Sequence, residues 1–374
     1  MTIKTEPKSD IPPTPLAERL LQLISDHGPI TVGDFLADAL SHPQHGYYST
    51  RDPFGTQGDF TTAPEISQIF GELIGAWLIE SWEAIGAPSI FQLVEFGPGR
   101  GTLMKDILRV GQLRPKFLEA ARITMIENSG RLRHAQQRAL AEAHPHIVWR
   151  TSLDDIPNGP LLVVANEFFD CLPIRQFVKV DLEGDHPWRE RLVGKNEDES
   201  GFAFELSEAA YPDPAGAPSP APVEAIFESS DISRRLVEDL SDRLFQNKGR
   251  VLIIDYGHGR SGFGDTFQAV KRHEYCHPLE TPGEVDITAH VDFAALARAG
   301  RSAGARVDGP VRQGDFLNRL GFTNRLDVLA RAAGDEAENL VTGARRLIHP
   351  EEMGELFKVL CLSSPGMAEP AGFS

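Results

Sequence analysis

The chain has 374 residues, of which 41% are hydrophobic and 24% charged, the composition of an ordinary globular protein long enough for a large core. Its formal net charge of -17 argues against a nucleic-acid partner and would suit a basic partner or a cationic substrate. Three cysteines without metal-ligand spacing predict a reduced intracellular protein that has no structural zinc or other metal site. No apolar run reaches the about 18 residues that a membrane span requires.

The first elements in chain order are a polar tail and three helices. Residues 1–15 are proline-rich and lack an apolar signal region, which predicts a disordered tail and a cytoplasmic protein. Apolar residues at helical spacing predict helices over 16–27, 31–40 and 67–85. We expect residues 16–88 to form a helical cap, with an irregular but structured loop before the third helix.

From residue 90 onward, strands alternate with helices. Short apolar runs that predict strands cover 90–94, 122–126, 146–150, 160–165, 175–180 and 250–254. The helices predicted between and after them cover 102–110, 130–143, 232–246 and 292–299. Such alternation predicts an α/β fold with a mainly parallel central sheet that is covered on both faces.

Two later segments depart from this pattern. Residues 181–224 are turn-rich and contain the run YPDPAGAPSPAP, which predicts an exposed insertion. Within it, residues 185–220 are predicted to be dispensable for cofactor binding. Residues 363–374 lack periodicity and are predicted to fray. The main domain is therefore expected to cover residues 89–362, with the insertion inside it.

Polar side chains follow the ends of successive predicted strands, where a parallel sheet binds its ligand. The strand ends carry Glu95, Glu127-Asn128, Asn166-Glu167 and Asp255-Tyr256-Gly257-His258, and Ser152-Leu153-Asp154-Asp155 follows the strand over 146–150. We expect these acids to line one electronegative crevice.

The segment VEFGPGRGTL, residues 94–103, is a strand, a tight turn and the start of a helix. Gly97, Gly99 and Gly101 permit a close approach of a ligand to the backbone, with Pro98 between the first two. The dinucleotide fingerprint G-x-G-x-x-G has a different spacing, and Glu95 would repel a diphosphate. A carboxylate here suits an ammonium or sulfonium, both of which S-adenosylmethionine carries.

The other strand ends fit the remaining parts of that ligand. Glu127 can accept hydrogen bonds from both ribose hydroxyls, with Asn128 beside it. Asp154 or Asp155 can accept from the adenine amino group, and Leu153 can pack on the ring. Asn166 is expected at the same crevice.

Five segments together resemble a known family. EFGPGRGTL, IENS and ANEFFDCLP are similar to class I methyltransferases, and GDFTTAPEISQIFGELIGAW and LIIDYGH resemble the MidA family in particular. The resemblance covers about residues 16–362 and implies a Rossmann-like domain with an added substrate-side subdomain that uses S-adenosylmethionine. The family's mitochondrial complex I assembly-factor members symmetrically dimethylate an arginine of the complex I subunit homologous to the 49-kDa subunit. The absence of a transit peptide favours a bacterial homologue.

An arginine acceptor would require carboxylates, because its guanidinium stays charged at neutral pH. Glu167 and Asp170 in NEFFD are the first candidates, and Phe168 and Phe169 either wall the pocket or pack in the core. The segment 58–65 either starts the following helix or forms a lid in which Asp59 touches the cofactor. His258 and His290 are candidates for proton transfer.

Two alternatives remain open from the sequence. A non-catalytic S-adenosylmethionine-binding assembly factor would carry the same binding residues. An NAD-dependent dehydrogenase is disfavoured by the spacing of the glycines and by Glu95.

Overall fold

The computed structural model describes residues 13–51, 61–181 and 184–374. The helices are α1 Pro15–His27, α2 Val32–Ser41, α3 Tyr47–Thr50, α4 Ala63–Ile66, α5 Gln68–Ala84, α6 Thr102–Gly111, α7 Pro115–Ala120, α8 Gly130–Ala139, α9 Asp231–Gln246, α10 Phe293–Ser302, α11 Gln313–Arg319, α12 Phe322–Ala333 and α13 Ala337–Arg345. The strands are β1 Ile30–Thr31, β2 Phe91–Phe96, β3 Ala121–Ile126, β4 Ile147–Arg150, β5 Leu161–Asn166, β6 Arg175–Lys179, β7 Trp188–Lys195, β8 Phe202–Tyr211, β9 Ile226–Ser229, β10 Gly249–His258, β11 Gln268–Lys271, β12 Glu274–Cys276, β13 Asp286–Thr288, β14 Val291–Asp292, β15 Arg306–Arg312 and β16 Phe357–Ser363.

The chain divides into two compact units, and each is built from separate stretches of sequence. The parallel-sheet unit contains residues 61–169, 235–259 and 296–374. The antiparallel unit contains the described residues of the ranges 1–60, 170–234 and 260–295. The predicted division into a cap over 16–88 and a main domain over 89–362 is therefore wrong, because both ranges contribute to both units.

The parallel-sheet unit is built on one sheet with the strand order β15-β16-β10-β5-β2-β3-β4. The five strands from β10 to β4 are parallel, which confirms the mainly parallel sheet that the sequence predicts. The last strand of the chain, β16, lies between β10 and β15 and is antiparallel to both. β2 and β5 are adjacent although β3 and β4 intervene in sequence, so the strand order reverses between them.

The core of this unit is apolar on both faces of the sheet. β2 and β5 are buried at every position, as expected for central strands of a parallel sheet. Helix α5 begins where the Ser67 hydroxyl accepts a hydrogen bond from the Ile69 amide, and most of its residues are buried. It packs closely on α6, because Gly75 faces the Ile107 backbone without a side chain in between.

The antiparallel unit contains two sheets. One has the order β1-β7-β6-β9 with β8 paired to β7, and the other has the order β12-β11-β13. Helices α1 and α2 present Leu16, Leu20 and Phe35 to an apolar cluster that includes Phe202 of β8 and Ile287 of β13.

The segment 181–224, predicted to be an exposed insertion, contains two strands of the antiparallel unit. β7 pairs with β1, β6 and β8, so it is an interior strand of its sheet. The segment is therefore not an irregular exposed stretch, because the turn-rich composition belongs to the connections between these strands. Its dispensability for cofactor binding stays a prediction.

The tail over 363–374, predicted to fray, is held by side chains of the parallel-sheet unit. The Trp77 indole donates to the Ala371 carbonyl at 3.1 Å, and Arg250 donates to the Ala368 carbonyl at 2.9 Å. Phe373 packs edge-on against Phe316 at 5.4 Å between ring centroids. At the other end, Thr14 caps α1, whereas residues 1–12 of the predicted disordered tail lie outside the described residues.

Within the described ranges of the chain, no helix is both long enough and apolar enough to cross a membrane.

We expect the replacement of Trp188 by alanine to lower the free energy of unfolding by about 3–5 kcal/mol. The Trp188 side chain is fully buried in β7, and its indole donates to Asp213 at 2.8 Å. Leu206→Ala is the matched control on β8, because Leu206 is exposed and should change the free energy by about 0.5 kcal/mol or less. Urea unfolding of the two variants measures the difference. Equal small losses would restore the interpretation of this segment as an insertion.

Candidate functional site

The candidate site lies at the carboxyl ends of the central parallel strands. The register pairs Phe96 with Ile126 and Ala165, so Gly97 and Glu127 follow neighbouring strands at one edge of the sheet. Asn166 is paired with Ile254, which brings the end of β5 beside Asp255 of β10. Ligands of open α/β sheets bind where the strand order reverses, which here is between β2 and β5.

The turn after β2 has the backbone geometry that only glycine adopts easily. Gly97, Gly99 and Gly101 have φ values of 59°, 52° and 84°. A Cβ at Gly97 would lie 2.9 Å from Cδ2 of Phe168, which leaves no space for a side chain. A 2.7 Å hydrogen bond from the Gly101 amide to the Pro98 carbonyl closes the turn. Pro98 itself is buried.

Glu95 is a buried carboxylic acid directly before this turn. It is 3% exposed, and its Oε2 atom has no hydrogen-bond partner in the described part of the chain. Burial raises the pKa of Glu95 to about 8, although a hydrogen bond from the Met104 backbone N–H acts in the opposite direction. A buried acid with an unused oxygen is costly unless a ligand supplies a partner.

Glu127 is held at the end of β3 by hydrogen bonds to both carboxylate oxygens. Oε1 accepts from the Ser129 amide at 2.8 Å, and Oε2 accepts from Nε2 of Gln136 at 3.1 Å. Burial raises the pKa of Glu127, and these hydrogen bonds oppose that shift. The next side chain, Asn128, is exposed.

Leu153 and Asp154 lie on a short 3₁₀ turn after β4. The Leu153 side chain is buried, and its carbonyl accepts from Arg243 at 2.9 Å, which fixes the turn. The Asp154 side chain is exposed, and so is that of Asp155. The role of Asp154 or Asp155 as acceptor from the adenine amino group stays a prediction, and so does the packing of Leu153 on the adenine ring.

Asn166 is the last residue of β5, and Glu167 directly after it has a strained backbone. Glu167 has a φ of 51°, a left-handed conformation that is rare for residues other than glycine. Its Oε1 accepts from the Ala63 amide of α4 at 2.9 Å and from Nδ2 of Asn166 at 3.1 Å. Oδ1 of Asn166 is buried and has no hydrogen-bond partner among the described residues. Such strain clusters at functional sites, where surrounding structure enforces it.

Asp255 holds the turn that follows Glu167, a role that the sequence does not indicate. It is fully buried, and Oδ2 accepts from the amides of Phe168 and Phe169 at 3.0 and 2.9 Å. Oδ1 accepts from the Tyr256 amide at 2.9 Å. The only available signal was its position directly after the predicted strand over 250–254, although β10 continues to His258.

The remaining predicted residues are distributed over the chain. His258 is the half-buried last residue of β10 in the parallel-sheet unit. Asp170 and His290 belong to the antiparallel unit, where the Asp170 carbonyl accepts from Ala289 and the His290 amide donates to Thr266. Asp59 lies outside the described residues. The roles of Asp170, Asp59 and the two histidines stay predictions.

The sequence and the architecture have known counterparts. A family model described as "Putative S-adenosyl-L-methionine-dependent methyltransferase" matches residues 73–311. The protein arginine methyltransferase NDUFAF7 homolog of Drosophila melanogaster, a mitochondrial protein, is 38% identical over 93% of this chain and 84% of its own length. The human protein arginine methyltransferase NDUFAF7 is 35% identical over 94% of this chain and 84% of its own length.

A solved structure is also similar over most of the chain. It is that of a "likely methyl transferase" from Burkholderia thailandensis bound to S-adenosyl-homocysteine, with a TM-score of 0.82 and 28% sequence identity. The similarity covers 96% of this chain and 93% of that chain.

Proposed function

The chain belongs to this S-adenosyl-L-methionine-dependent methyltransferase family, and from that premise we propose that it methylates an arginine guanidinium of a protein. The relatives named protein arginine methyltransferases support the class of acceptor. The observation that carries the proposal is the strained Glu167 beside the reversal point of the sheet, because a fixed carboxylate there suits a permanent cation. The dehydrogenase alternative conflicts with the family.

The chemistry of the residues at the strand ends fits the cofactor. The unused Oε2 of Glu95 can accept from an ammonium group, and the positive φ values of the glycine turn are those expected where a ligand approaches the backbone closely. The Glu127 carboxylate is proposed to accept from both ribose hydroxyls. Oδ1 of Asn166 is a further buried acceptor that a ligand would satisfy.

The proposed chemistry assigns the charge to Glu167 and the proton to His258. S-adenosylmethionine supplies a methyl group bound to a sulfonium sulfur, which is a good leaving group. The protein therefore contributes mainly the positioning of the reactants and the exclusion of water. Glu167 would hold the guanidinium and orient one nitrogen toward the methyl carbon. That nitrogen forms the new C–N bond as the C–S bond breaks, and it then loses one proton, for which His258 is the proposed acceptor.

We also propose the acceptor protein and the compartment. Respiratory complex I is the proposed target, through its subunit homologous to the 49-kDa subunit, because the family resemblance extends over nearly the whole chain. The proposed compartment is a bacterial cytoplasm, and the three free cysteines suit its reducing conditions.

Methyl labelling tests this proposal. The purified protein is incubated with radiolabelled S-adenosylmethionine and a lysate of cells from which its gene has been deleted. We expect label in one protein band, and acid hydrolysis of that band should release symmetric dimethylarginine. Label on lysine, on RNA or on a small molecule would contradict the proposed acceptor, and binding without any transfer would favour the non-catalytic assembly factor.

We expect the affinity for S-adenosylhomocysteine to rise about 25-fold between pH 6 and pH 7.5. Below pH 8 Glu95 is mostly protonated in the cofactor-free protein, whereas an ammonium partner requires the carboxylate, so binding releases a proton. Affinity therefore increases with pH and levels off as the pKa of about 8 is passed. Isothermal titration calorimetry in buffers of different ionisation enthalpy measures both the affinity and the number of protons released on binding.

Two controls accompany this pH measurement. Glu95→Gln should bind with little dependence on pH. So should 5′-methylthioadenosine on the unaltered protein, because it retains the nucleoside and lacks the amino acid. A pH dependence that persists in Glu95→Gln would show that another group binds or releases the proton.

A further inference from the structure

We propose that Gln136 is a positioning residue that fixes the Glu127 carboxylate for the ribose of the cofactor and joins it to the glycine turn. The proposal rests on the assignment of Glu127 to the ribose under the proposed function. Gln136 makes no contact with substrate in this scheme, and it affects the affinity for the cofactor only by fixing Glu127.

Gln136 occupies an unusual place for a polar side chain. It is fully buried on the face of α8 that also carries Leu132, and Leu140 directly after the helix continues this face. These positions are four residues apart, so an apolar residue would complete the stripe. A buried amide is costly unless every polar atom is satisfied, which indicates that this glutamine is retained for its hydrogen bonds.

The side chain of Gln136 hydrogen-bonds two parts of the candidate site and the neighbouring strand β4. Nε2 donates to the Gly99 carbonyl at 2.7 Å and to Oε2 of Glu127 at 3.1 Å. Oε1 accepts from the Trp149 indole at 2.8 Å. The amide therefore links β3, the turn after β2 and β4 at one point.

Trp149 determines which way the amide faces. An indole N–H only donates, while the Gly99 carbonyl and a carboxylate only accept, so exchanging O and N of Gln136 would break all three hydrogen bonds. The amide is thereby locked with its N–H groups toward the turn and toward Glu127.

This arrangement leaves the carboxylate in one orientation with capacity for a ligand. Glu127 uses one lone pair of Oε1 for the Ser129 amide and one of Oε2 for Gln136. The Asn128 backbone N–H also acts on this carboxylate. A carboxylate has about four acceptor sites, so it keeps capacity for the ribose hydroxyl side of the cofactor. Loss of Gln136 would free Oε2 and remove a donor that favours the charged form of a buried acid.

The test compares two ligands on one substitution. Gln136→Leu keeps the approximate size and the apolar contacts and removes the amide. We expect its affinity for S-adenosylhomocysteine to fall roughly tenfold to thirtyfold. Its affinity for the 2′,3′-dideoxy analogue of S-adenosylhomocysteine should stay within about twofold of the unaltered protein, since that ligand has no hydroxyls for Glu127 to bind.

A merely structural role for Gln136 predicts a different pattern. If both ligands lost affinity equally, Gln136 would act through the turn or through general stability, and the proposal would be wrong. Unchanged affinity for S-adenosylhomocysteine would also overturn it. Failure of the unaltered protein to bind S-adenosylhomocysteine would instead refute the proposed function, so the two failures are distinguishable.

Trp149→Phe provides a second measurement should Gln136→Leu fail to fold. It keeps an aromatic ring and removes the donor that orients the amide, together with the second ring of the indole. We expect a smaller loss of affinity, about threefold to tenfold, again confined to the ligand that carries the ribose hydroxyls. An equal loss for both ligands would contradict the role of the locked amide.

Discussion

Replacing Glu167 by glutamine is expected to slow methyl transfer about a hundredfold to a thousandfold while leaving the affinity for S-adenosylhomocysteine nearly unchanged. The substitution removes the charge that we propose to hold the guanidinium, and removing one partner of a buried ion pair costs roughly 3–5 kcal/mol. The glutamine carbonyl can still accept from the Ala63 amide and from Asn166, so the connection to α4 should survive. Single-turnover kinetics measures the rate of methyl transfer to the acceptor protein that methyl labelling identifies.

Glu65→Gln is the matched control for this substitution. Glu65 lies in the same short helix that Glu167 contacts, and its charge faces Arg100 at 3.7 Å. A weak ion pair contributes about 1 kcal/mol or less, so turnover should stay close to that of the unaltered protein. If turnover were unchanged in Glu167→Gln, the proposal that Glu167 holds the acceptor guanidinium would be wrong.

Replacing Gly99 by valine should weaken the binding of S-adenosylhomocysteine by more than about a hundredfold. The backbone at Gly99 has a φ of 52°, which a β-branched residue adopts only with strain, and the turn must admit the cofactor against its backbone. Calorimetric titration of the folded variant measures the loss.

Gly321→Val separates backbone strain from cofactor binding. Gly321 lies before α12 with a φ of 95°, and a Cβ there would have no neighbour within 4 Å. This variant should lose stability to a similar extent and retain its affinity. Near-normal binding by Gly99→Val would mean that the glycine turn does not contact the cofactor.

The parallel-sheet unit could be predicted from sequence because its strands are continuous apolar runs. β2 and β5 are buried on both faces, so no alternation is needed to recognise them. Glu95 near the end of β2 and Glu167 after β5 mark the strand ends. The glycine turn, Glu95 and Glu127 could be predicted because they lie at the ends of these recognisable strands. The helix boundaries differ from the predictions by a few residues, as at α8, which ends at Ala139.

β7 could not be recognised because its buried residues include charges. Glu190 is buried and accepts two hydrogen bonds from the Arg175 guanidinium at 2.8 and 2.6 Å. A paired charge can occupy a core position, but the pairing depends on a residue fifteen positions away that has no signature in the local pattern. The strand therefore resembles a polar loop.

The C-terminal tail and Gln136 escaped prediction for a related reason. The tail is held through its backbone carbonyls, which Trp77 and Arg250 reach from distant elements, and every residue carries the same carbonyl group. Gln136 stands where an apolar residue is expected, and only its three partners explain it.

The position of β16 has a consequence for how the protein is made. Since β16 lies between β10 and β15, the ribosome completes both neighbours before it delivers the strand that joins them. Until residue 363 has emerged, β10 presents an unpaired edge with the apolar run Val251–Ile254. The nascent chain therefore carries an aggregation-prone edge until β16 is delivered, and the sheet can close only after residue 363 has emerged.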